Sequence, residues 1–192
     1  MTTKESILSN LRANVPETYE KPDLSFAKLN YTDPVEAFIT SATTAAGAKV
    51  ICMEEGDDIN DLIRRAYPDA RTIASNLPGI RADRNPDTAT RPQDLDGTDV
   101  SVVEGAVGCA ENACIWVPQT MRQRAVCFIC EYLVVILDRK NIVGNMHEAY
   151  SRIEMPELGF GCFISGPSKT ADIEQSLVYG AQSFCGVTII LR

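Results

Sequence analysis

A strand, a helix and a second strand are predicted in succession between residues 49 and 74, and this pattern constrains the fold more than any other part of the chain. Residues 49–53 form a short run typical of a strand, and residues 71–74 are predicted to form the next strand. Two strands joined by a helix pair in parallel through a right-handed crossover. The sequence therefore predicts an α/β fold with a mostly parallel sheet flanked by helices. The helix between the strands follows Asp58, with apolar residues at helical spacing at Ile59, Leu62, Ile63 and Ala66.

Residues 1–32 are predicted to form a helical arm outside this α/β domain. Thr2 and Glu5 have the spacing of a capping box, and the residues after the helix that they begin show no clear period. Asp33, followed by a proline, is a strong start for the next helix. We therefore predict an N-terminal helix and arm at residues 1–32 and an α/β domain at residues 33–192. The apolar residues of the first helix are Ile7, Leu8, Leu11 and Val15.

Further apolar runs in the second half of the chain predict the rest of the sheet. Their content of Val and Ile is typical of buried strands. A helix is predicted to begin at Asn145, with apolar residues on one face and Pro156 after it. The predicted strands are residues 100–103, 126–130, 133–137, 162–164 and 187–191.

The formal net charge of −8 argues against two classes of partner. Nucleic acids and anionic membranes attract proteins with an excess of Lys and Arg, whereas this chain has 18 basic and 26 acidic residues. No apolar run approaches the roughly 18 residues that a membrane span needs, and the N-terminus lacks the apolar region of a signal peptide. We therefore expect a cytoplasmic protein that binds neither nucleic acid nor membrane.

The seven cysteines are expected to be reduced and to bind no metal. They are odd in number and lie in apolar segments, which favours buried thiols over a disulfide framework. Only Cys127 and Cys130 have the spacing of a metal site, and the chain offers a single histidine, His147, as a further ligand. We therefore expect this chain to hold no cofactor.

The segment after the predicted strand 162–164 is a candidate anion-binding loop. A helix is predicted to follow it, because Ile173 and Leu177 share one helix face. The first turn of a helix leaves backbone N–H groups without partners, and such groups bind anions. Alternatively, Ser168 or Thr170 only caps that helix. The candidate ligand-binding residues are Ser165, Gly166, Ser168, Lys169 and Thr170.

A polar segment with no predicted helix or strand, residues 75–98, contains three arginines. Long segments of this kind inside one domain are often binding loops. Arg81, Arg84 and Arg91 could hold a carboxylate or phosphate through paired hydrogen bonds. Equally, they could balance the aspartates of the same segment on a solvated loop. The sequence leaves both interpretations open.

The run from residue 164 to residue 174 carries a family resemblance. Ile-Ser-Gly-Pro-Ser-Lys-Thr-Ala-Asp-Ile-Glu resembles, over eleven successive positions, the C-terminal signature of the lactate-utilisation protein C family (LutC/YkgG), whose members carry a LUD domain. The resemblance implies an α/β domain of the NagB/RpiA/CoA-transferase-like kind. It also implies a non-redox subunit or accessory protein that works with iron–sulfur partner proteins in oxidising L-lactate to pyruvate. The iron–sulfur clusters would then belong to the partners.

Glu111 is the best candidate for a catalytic residue. Ala110 and Glu111 match a run that LutC-like proteins have before a strand, whereas Asn112, Ala113 and Cys114 depart from it. The Glu-Asn pair is also similar to the one around the nucleophilic glutamate of class I CoA transferases, where an exposed carboxylate attacks an acyl-CoA. Alternatively, Glu111 is a turn residue bonded to neighbouring backbone.

Three functions therefore remain open. The chain is an accessory of lactate oxidation, a CoA-transferase-like or isomerase-like enzyme, or a module that senses a ligand without reaction. The enzyme would act on a small phosphorylated, carboxylated or CoA-linked metabolite, and the sensor would bind such a small anion. Ligands of open α/β sheets bind beyond the carboxyl ends of the strands, so Glu111 and the 165–170 loop are expected to share a site there, which the arginine segment could join.

Overall fold

A five-stranded sheet and a four-stranded sheet form the centre of the structure, a computed structural model that describes residues 2–15, 19–20, 22–23, 31–170, 178–180 and 183–192. These residues form no helix with the length and apolar character that crossing a membrane requires. The α-helices are α1 (Thr3–Ala13), α2 (Pro34–Ser41), α3 (Ile59–Ala66) and α4 (Met146–Arg152). The strands are β1 (Lys49–Cys52), β2 (Ile73–Ala74), β3 (Val100–Gly105), β4 (Val107–Cys109), β5 (Cys114–Pro118), β6 (Tyr132–Leu137), β7 (Ile142–Val143), β8 (Gly161–Ile164), β9 (Lys169–Thr170), β10 (Val178–Tyr179) and β11 (Gly186–Leu191).

The five-stranded sheet is parallel throughout, with the strand order β1-β11-β6-β3-β2. Its three central strands, β11, β6 and β3, have six residues each, and nearly all of these residues are buried. Strands that are covered on both faces need apolar side chains at successive positions, which explains their continuous Val and Ile runs. The predicted class, an α/β fold with a mostly parallel sheet flanked by helices, is confirmed.

The predicted pairing of the first two strands is wrong. β1 and β2 belong to the same sheet but lie at its opposite edges, with β11, β6 and β3 between them. The two edge strands have only four and two residues, so they offer little apolar surface and few ladder hydrogen bonds. The longer apolar strands therefore occupy the centre, where both faces are covered.

Side chains of β6 alternate between two core clusters on the two faces of this sheet. Leu133 and Val135 face the cluster that the sheet shares with α2 and with the four-stranded sheet. Val134 and Ile136 face the cluster that includes the apolar side of α3. Because successive side chains of a strand point to opposite faces, one strand anchors both layers of the domain.

The four α-helices begin where the sequence predicts, because local side chains satisfy their first N–H groups. Asp33 Oδ1 accepts hydrogen bonds from the N–H groups of Val35 (2.9 Å) and Glu36 (3.1 Å). Asp58 and Asn145 accept in the same way from the first turns of α3 and α4. α1 also begins with its predicted capping box. Such caps act within three residues, so the sequence alone is sufficient to predict them.

The four-stranded sheet has the order β7-β4-β5-β8 and is of mixed direction. β4 is parallel to β7, whereas β5 runs antiparallel to both β4 and β8. β4, β7 and β8 therefore end at the same edge of the sheet, and β5 begins there. We call this the carboxyl edge of the small sheet.

Residues 126–130, which were expected to form a buried strand, do not form one. The chain makes a 3-10 turn over Arg124–Cys127, and the Phe128 N–H donates to the Ala125 carbonyl oxygen at 2.9 Å. Val126 is nevertheless buried, as a strand would require. Periodicity cannot separate a buried strand from a buried helical turn over so few residues.

Two predictions fall partly or wholly outside the described residues. The helix expected after the 165–170 loop would lie on residues 171–177, and much of the N-terminal arm lies on residues 16–18, 21 and 24–30. Within the described part, Lys169–Thr170 forms β9 and pairs antiparallel with β10.

Candidate functional site

Three loops meet at the carboxyl edge of the small sheet. Glu111 follows β4, Asn145 follows β7 and Ser165 follows β8. The pairing of Cys109 with Val143, and the antiparallel pairing of β5 with β4 and β8, bring these three strand ends side by side. The shared site of Glu111 and the 165–170 loop was expected at the parallel sheet, whereas Glu111 and Ser165 meet at this edge of the mixed sheet, which is therefore the candidate site.

The backbone of the loop between β7 and α4 holds both the backbone N–H and the side-chain carboxylate of Glu111. Its own N–H donates to the Gly144 carbonyl oxygen at 3.1 Å, and its Oε2 accepts the Met146 N–H at 3.0 Å. Met146 is the first residue of α4, so the carboxylate lies where the helix has unpaired N–H groups and partial positive charge. Glu111 therefore ties the turn after β4 to α4, while remaining exposed to solvent.

Ser165 contacts the same turn from the other side. Its Oγ donates to the Asn112 carbonyl oxygen at 2.8 Å. Ala113 has a φ of 55°, and the Asn112 side chain accepts the Cys114 N–H at 3.1 Å, which closes a tight turn. Burial raises the pKa of the Cys114 thiol, and the nearby Ser165 hydroxyl opposes that shift. The structure thus brings Glu111 and Ser165 to one place.

The rest of the 165–170 loop is packed against protein backbone. Gly166 has a φ of 67°, and the Ser168 N–H donates to the Phe184 carbonyl oxygen at 3.1 Å. Lys169 Nζ donates to the Ala45 carbonyl oxygen at 3.2 Å, at the end of the turn that extends α2. A cation is favourable at the C-terminal end of a helix, so Lys169 has a structural partner there.

The three arginines of residues 75–98 lie elsewhere. Their contacts fasten this segment to itself and to the start of α3, and among the described residues none of the three contacts Glu111 or Ser165. The structure therefore does not bring them into the carboxyl-edge site. Arg81 pairs with Asp58 at 3.3 Å, Arg84 donates to the Asp96 carbonyl oxygen and to Thr98 Oγ1, and Arg91 pairs with Asp94 at 3.0 Å.

Burial raises the pKa of five of the seven thiols above the ordinary value. For Cys127 it raises the pKa to about 12, with Cys162 and Cys130 as further causes. In the metal-free protein these five thiols are therefore held in the protonated form. In the described ranges, no three His, Cys, Asp or Glu side chains are grouped so that they could hold a metal ion. The five thiols are those of Cys109, Cys114, Cys127, Cys130 and Cys162.

We expect a thiol-reactive probe to label Cys52 and Cys185 first in the native protein, because these are the two exposed cysteines. Cys127 should be the slowest to react before unfolding. Intact mass measured over time, with a denatured sample as control, gives the number of reacted thiols. Seven equal rates in the native protein would contradict this assignment.

The same burial predicts a loss of stability at alkaline pH. The Cys127 thiol has a pKa of about 12 in the folded chain against 9.0 for an ordinary thiol. As pH rises from 9 to 12 the unfolded chain loses this proton first, so the contribution of Cys127 to stability is full below pH 9 and is lost towards pH 12. In the variant Cys127→Ala, the free energy of unfolding should therefore decrease less between pH 9 and pH 12 than in the native chain. Urea unfolding at a series of pH values measures this free energy.

Sequence reasoning missed the groups of the β7–α4 loop that hold Glu111. These are the Gly144 carbonyl oxygen and the Met146 N–H, both of the backbone. Backbone groups carry no residue-type signal. The predicted helix start at Asn145 was the indication that a helix N-terminus lies near this edge.

Comparison with known proteins agrees with the fold. The family model described as "LUD domain" matches residues 85–191. The structure is similar to the crystal structure of a DUF162 family protein from Deinococcus radiodurans, with a TM-score of 0.58 and 16% sequence identity, over 82% of this chain and 93% of that chain. No curated protein sequence matches the chain. The family match covers more than half of the residues, including the whole carboxyl edge of the small sheet, and the chain belongs to the LUD domain family.

Proposed function

We propose that this chain is a non-redox subunit or accessory protein of an iron–sulfur-dependent system that oxidises L-lactate to pyruvate. The match of the LUD domain model to residues 85–191 is the observation that carries the proposal. That range contains both the Glu111 turn and the 164–174 run that resembles the lactate-utilisation protein C family. In this proposal the electrons of lactate pass through clusters in the partner proteins.

The state of the cysteines supports a non-redox role. Iron–sulfur clusters are held by thiolates, usually four of them. Burial disfavours the thiolate form of Cys109, Cys114, Cys127, Cys130 and Cys162. Among the described residues, no three His, Cys, Asp or Glu side chains are grouped as metal ligands, and in this proposal the chain contributes binding surface to the system while the clusters belong to the partners.

α1 is the segment that we expect to contact the partner. No residue of this fully described helix is buried, and Ile7 and Leu11 are 56% and 58% exposed. Both lie one turn apart on the same side of the helix, with Leu8 and Val15 beside them. An amphipathic helix that presents its apolar side to solvent gains stability when a groove of another protein covers it.

The experiment is affinity capture of the tagged chain under anaerobic conditions. The chain is co-expressed with the iron–sulfur proteins of the cell from which it comes. We expect an iron–sulfur protein to co-purify. The double variant Ile7→Glu, Leu11→Glu should reduce its recovery by at least about tenfold, because it places two charges in an apolar contact. Ser9→Glu adds a charge to the opposite side of α1 and is the matched control, with recovery unchanged.

The outcomes separate the function from the surface. Failure to recover any iron–sulfur protein under reducing, anaerobic conditions would count against the proposed function. Equal recovery by the double variant and by the native chain would contradict the role of α1 alone.

A further inference from the structure

A cavity of about 430 Å³ lies at the opposite edge of the small sheet from Glu111. It is formed by the loop that follows β5, and because β5 runs against β4 and β8, this loop lies away from the carboxyl edge. The Gln119 N–H fixes the loop to the start of β8 through the Phe160 carbonyl oxygen at 2.9 Å. We call this cavity the arginine pocket, and the lining residues that matter are Pro92, Gln119, Arg122, Gln123, Arg124 and Phe128.

Two arginines, Arg122 and Arg124, line the arginine pocket, and the nearby Asp87 carboxylate accepts the Arg122 backbone N–H at 2.8 Å rather than pairing with a guanidinium group. In the part of the chain that the structure describes, no salt bridge joins Arg122 or Arg124 to an acidic residue, although acidic residues outnumber basic ones in the chain by 26 to 18. The Arg124 guanidinium lies over the Phe160 ring at 4.5 Å, which limits its orientations. A guanidinium group without a carboxylate partner suits an oxyanion, because it can donate two parallel hydrogen bonds.

The polar walls of the pocket are already fixed. Gln119 Nε2 donates to the Met121 carbonyl oxygen at 3.0 Å, within the loop itself. Gln123 Nε2 donates to the carbonyl oxygens of Ala89 and Thr90 at 3.2 and 3.1 Å, which ties the loop to the end of the 75–98 segment. A pocket whose walls are ordered beforehand loses less entropy when a ligand binds.

The size of the pocket and its apolar surface indicate which kind of molecule carries the anionic group. Phe128 presents a ring that is 39% exposed, and Pro92 adds a second apolar surface. A volume of about 430 Å³ falls within the range of small-molecule sites and far exceeds the volume of a three-carbon acid such as lactate. Aromatic rings stack well on the planar rings of nucleobases.

We propose that the arginine pocket binds a phosphorylated small molecule with a planar body, of which a nucleoside monophosphate is the simplest form. Arg122 and Arg124 hold the phosphate, and Phe128 contacts the planar body. Sequence reasoning gave the 165–170 loop and the arginines of residues 75–98 as candidate anion sites and named no candidate among residues 121–124. The pocket is independent of the proposed lactate function, since it lies at the other edge of the small sheet.

Calorimetric titration of the purified full chain with AMP tests the proposal, with inorganic phosphate and adenosine as the two half-ligands. We expect AMP to bind more tightly than either half. Arg122→Gln and Arg124→Gln should each weaken AMP binding by about tenfold or more, as expected for a lost charge-assisted contact. Phe128→Ala should weaken binding of AMP and leave binding of phosphate unchanged. Arg12→Gln on α1 makes the same charge change away from the pocket and should have no effect.

Three results would overturn the proposal. These are no heat of binding with AMP at millimolar concentration, binding of adenosine as tight as that of AMP, and AMP binding that both arginine variants retain. Unfolding curves of each variant establish that the pocket is intact, because both arginines are exposed and neither supports the core.

Discussion

Replacing Gly166 by alanine is expected to lower the free energy of unfolding by about 3 kcal/mol. Gly166 has a φ of 67°, which L side chains rarely adopt, and a Cβ there would stand 2.2 Å from the Ala46 carbonyl oxygen. That oxygen belongs to backbone and cannot rotate away. The loss therefore combines backbone strain with a steric overlap, and urea unfolding followed by circular dichroism measures it.

Gly97→Ala is the matched control for this prediction. Gly97 has a φ of 72°, but a Cβ there would have no atom within 4 Å. It should lose only the strain of the left-handed conformation, about 1 kcal/mol. Equal losses of unfolding free energy in the two variants would show that the backbone around Ala46 moves aside to accept the new methyl group. The close packing of the 165–170 loop against the turn that extends α2 would then contribute little to stability.

Replacing Phe38 by alanine is expected to cost about 4 kcal/mol, the usual loss for a large aromatic side chain in a core. Phe38 is fully buried and is the residue by which α2 enters the main core cluster. Its ring lies against Gly108 of β4, where a Cβ would stand 3.4 Å from Phe38 Cε2. The variant leaves a cavity where α2, the parallel sheet and the small sheet meet.

Phe128→Ala is the control, because it removes the same atoms from a ring that is 39% exposed. Its cost should be about 1 kcal/mol. Urea unfolding of both variants measures these losses. The two midpoint urea concentrations can be compared directly if the dependence of the unfolding free energy on urea concentration is the same in both variants. A Phe38→Ala midpoint equal to that of Phe128→Ala would contradict the central position of α2.

Features that depend on neighbouring residues could be predicted from the sequence. Asp33, Asp58 and Asn145 cap their helices through contacts with the next two or three residues, so each helix start follows from local chemistry. The 164–174 run was sufficient to predict the LUD domain, which the family match confirms. The strand order could not be predicted, because the contacts that place β11 between β1 and β6 join residues that are far apart in the chain.

Only part of the candidate site could be predicted from the sequence. Glu111 and Ser165 follow strands, and strands of one direction end at one edge, so their meeting could be expected. The grouping of Arg122 with Phe128 could not be predicted, because the chain forms a 3-10 turn where a strand was expected. That turn folds two exposed side chains towards one pocket.

The five residues of β5 separate the two candidate sites by about 17 Å of extended chain. Trp116, the only tryptophan of the chain, lies at the middle of this strand, buried and with its ring 5.2 Å from that of Phe163. Indole emission depends on the packing and polarity around the ring. The tryptophan emission of this protein therefore has a single origin, halfway between Glu111 and the arginine pocket, and serves as a built-in optical probe of the small sheet.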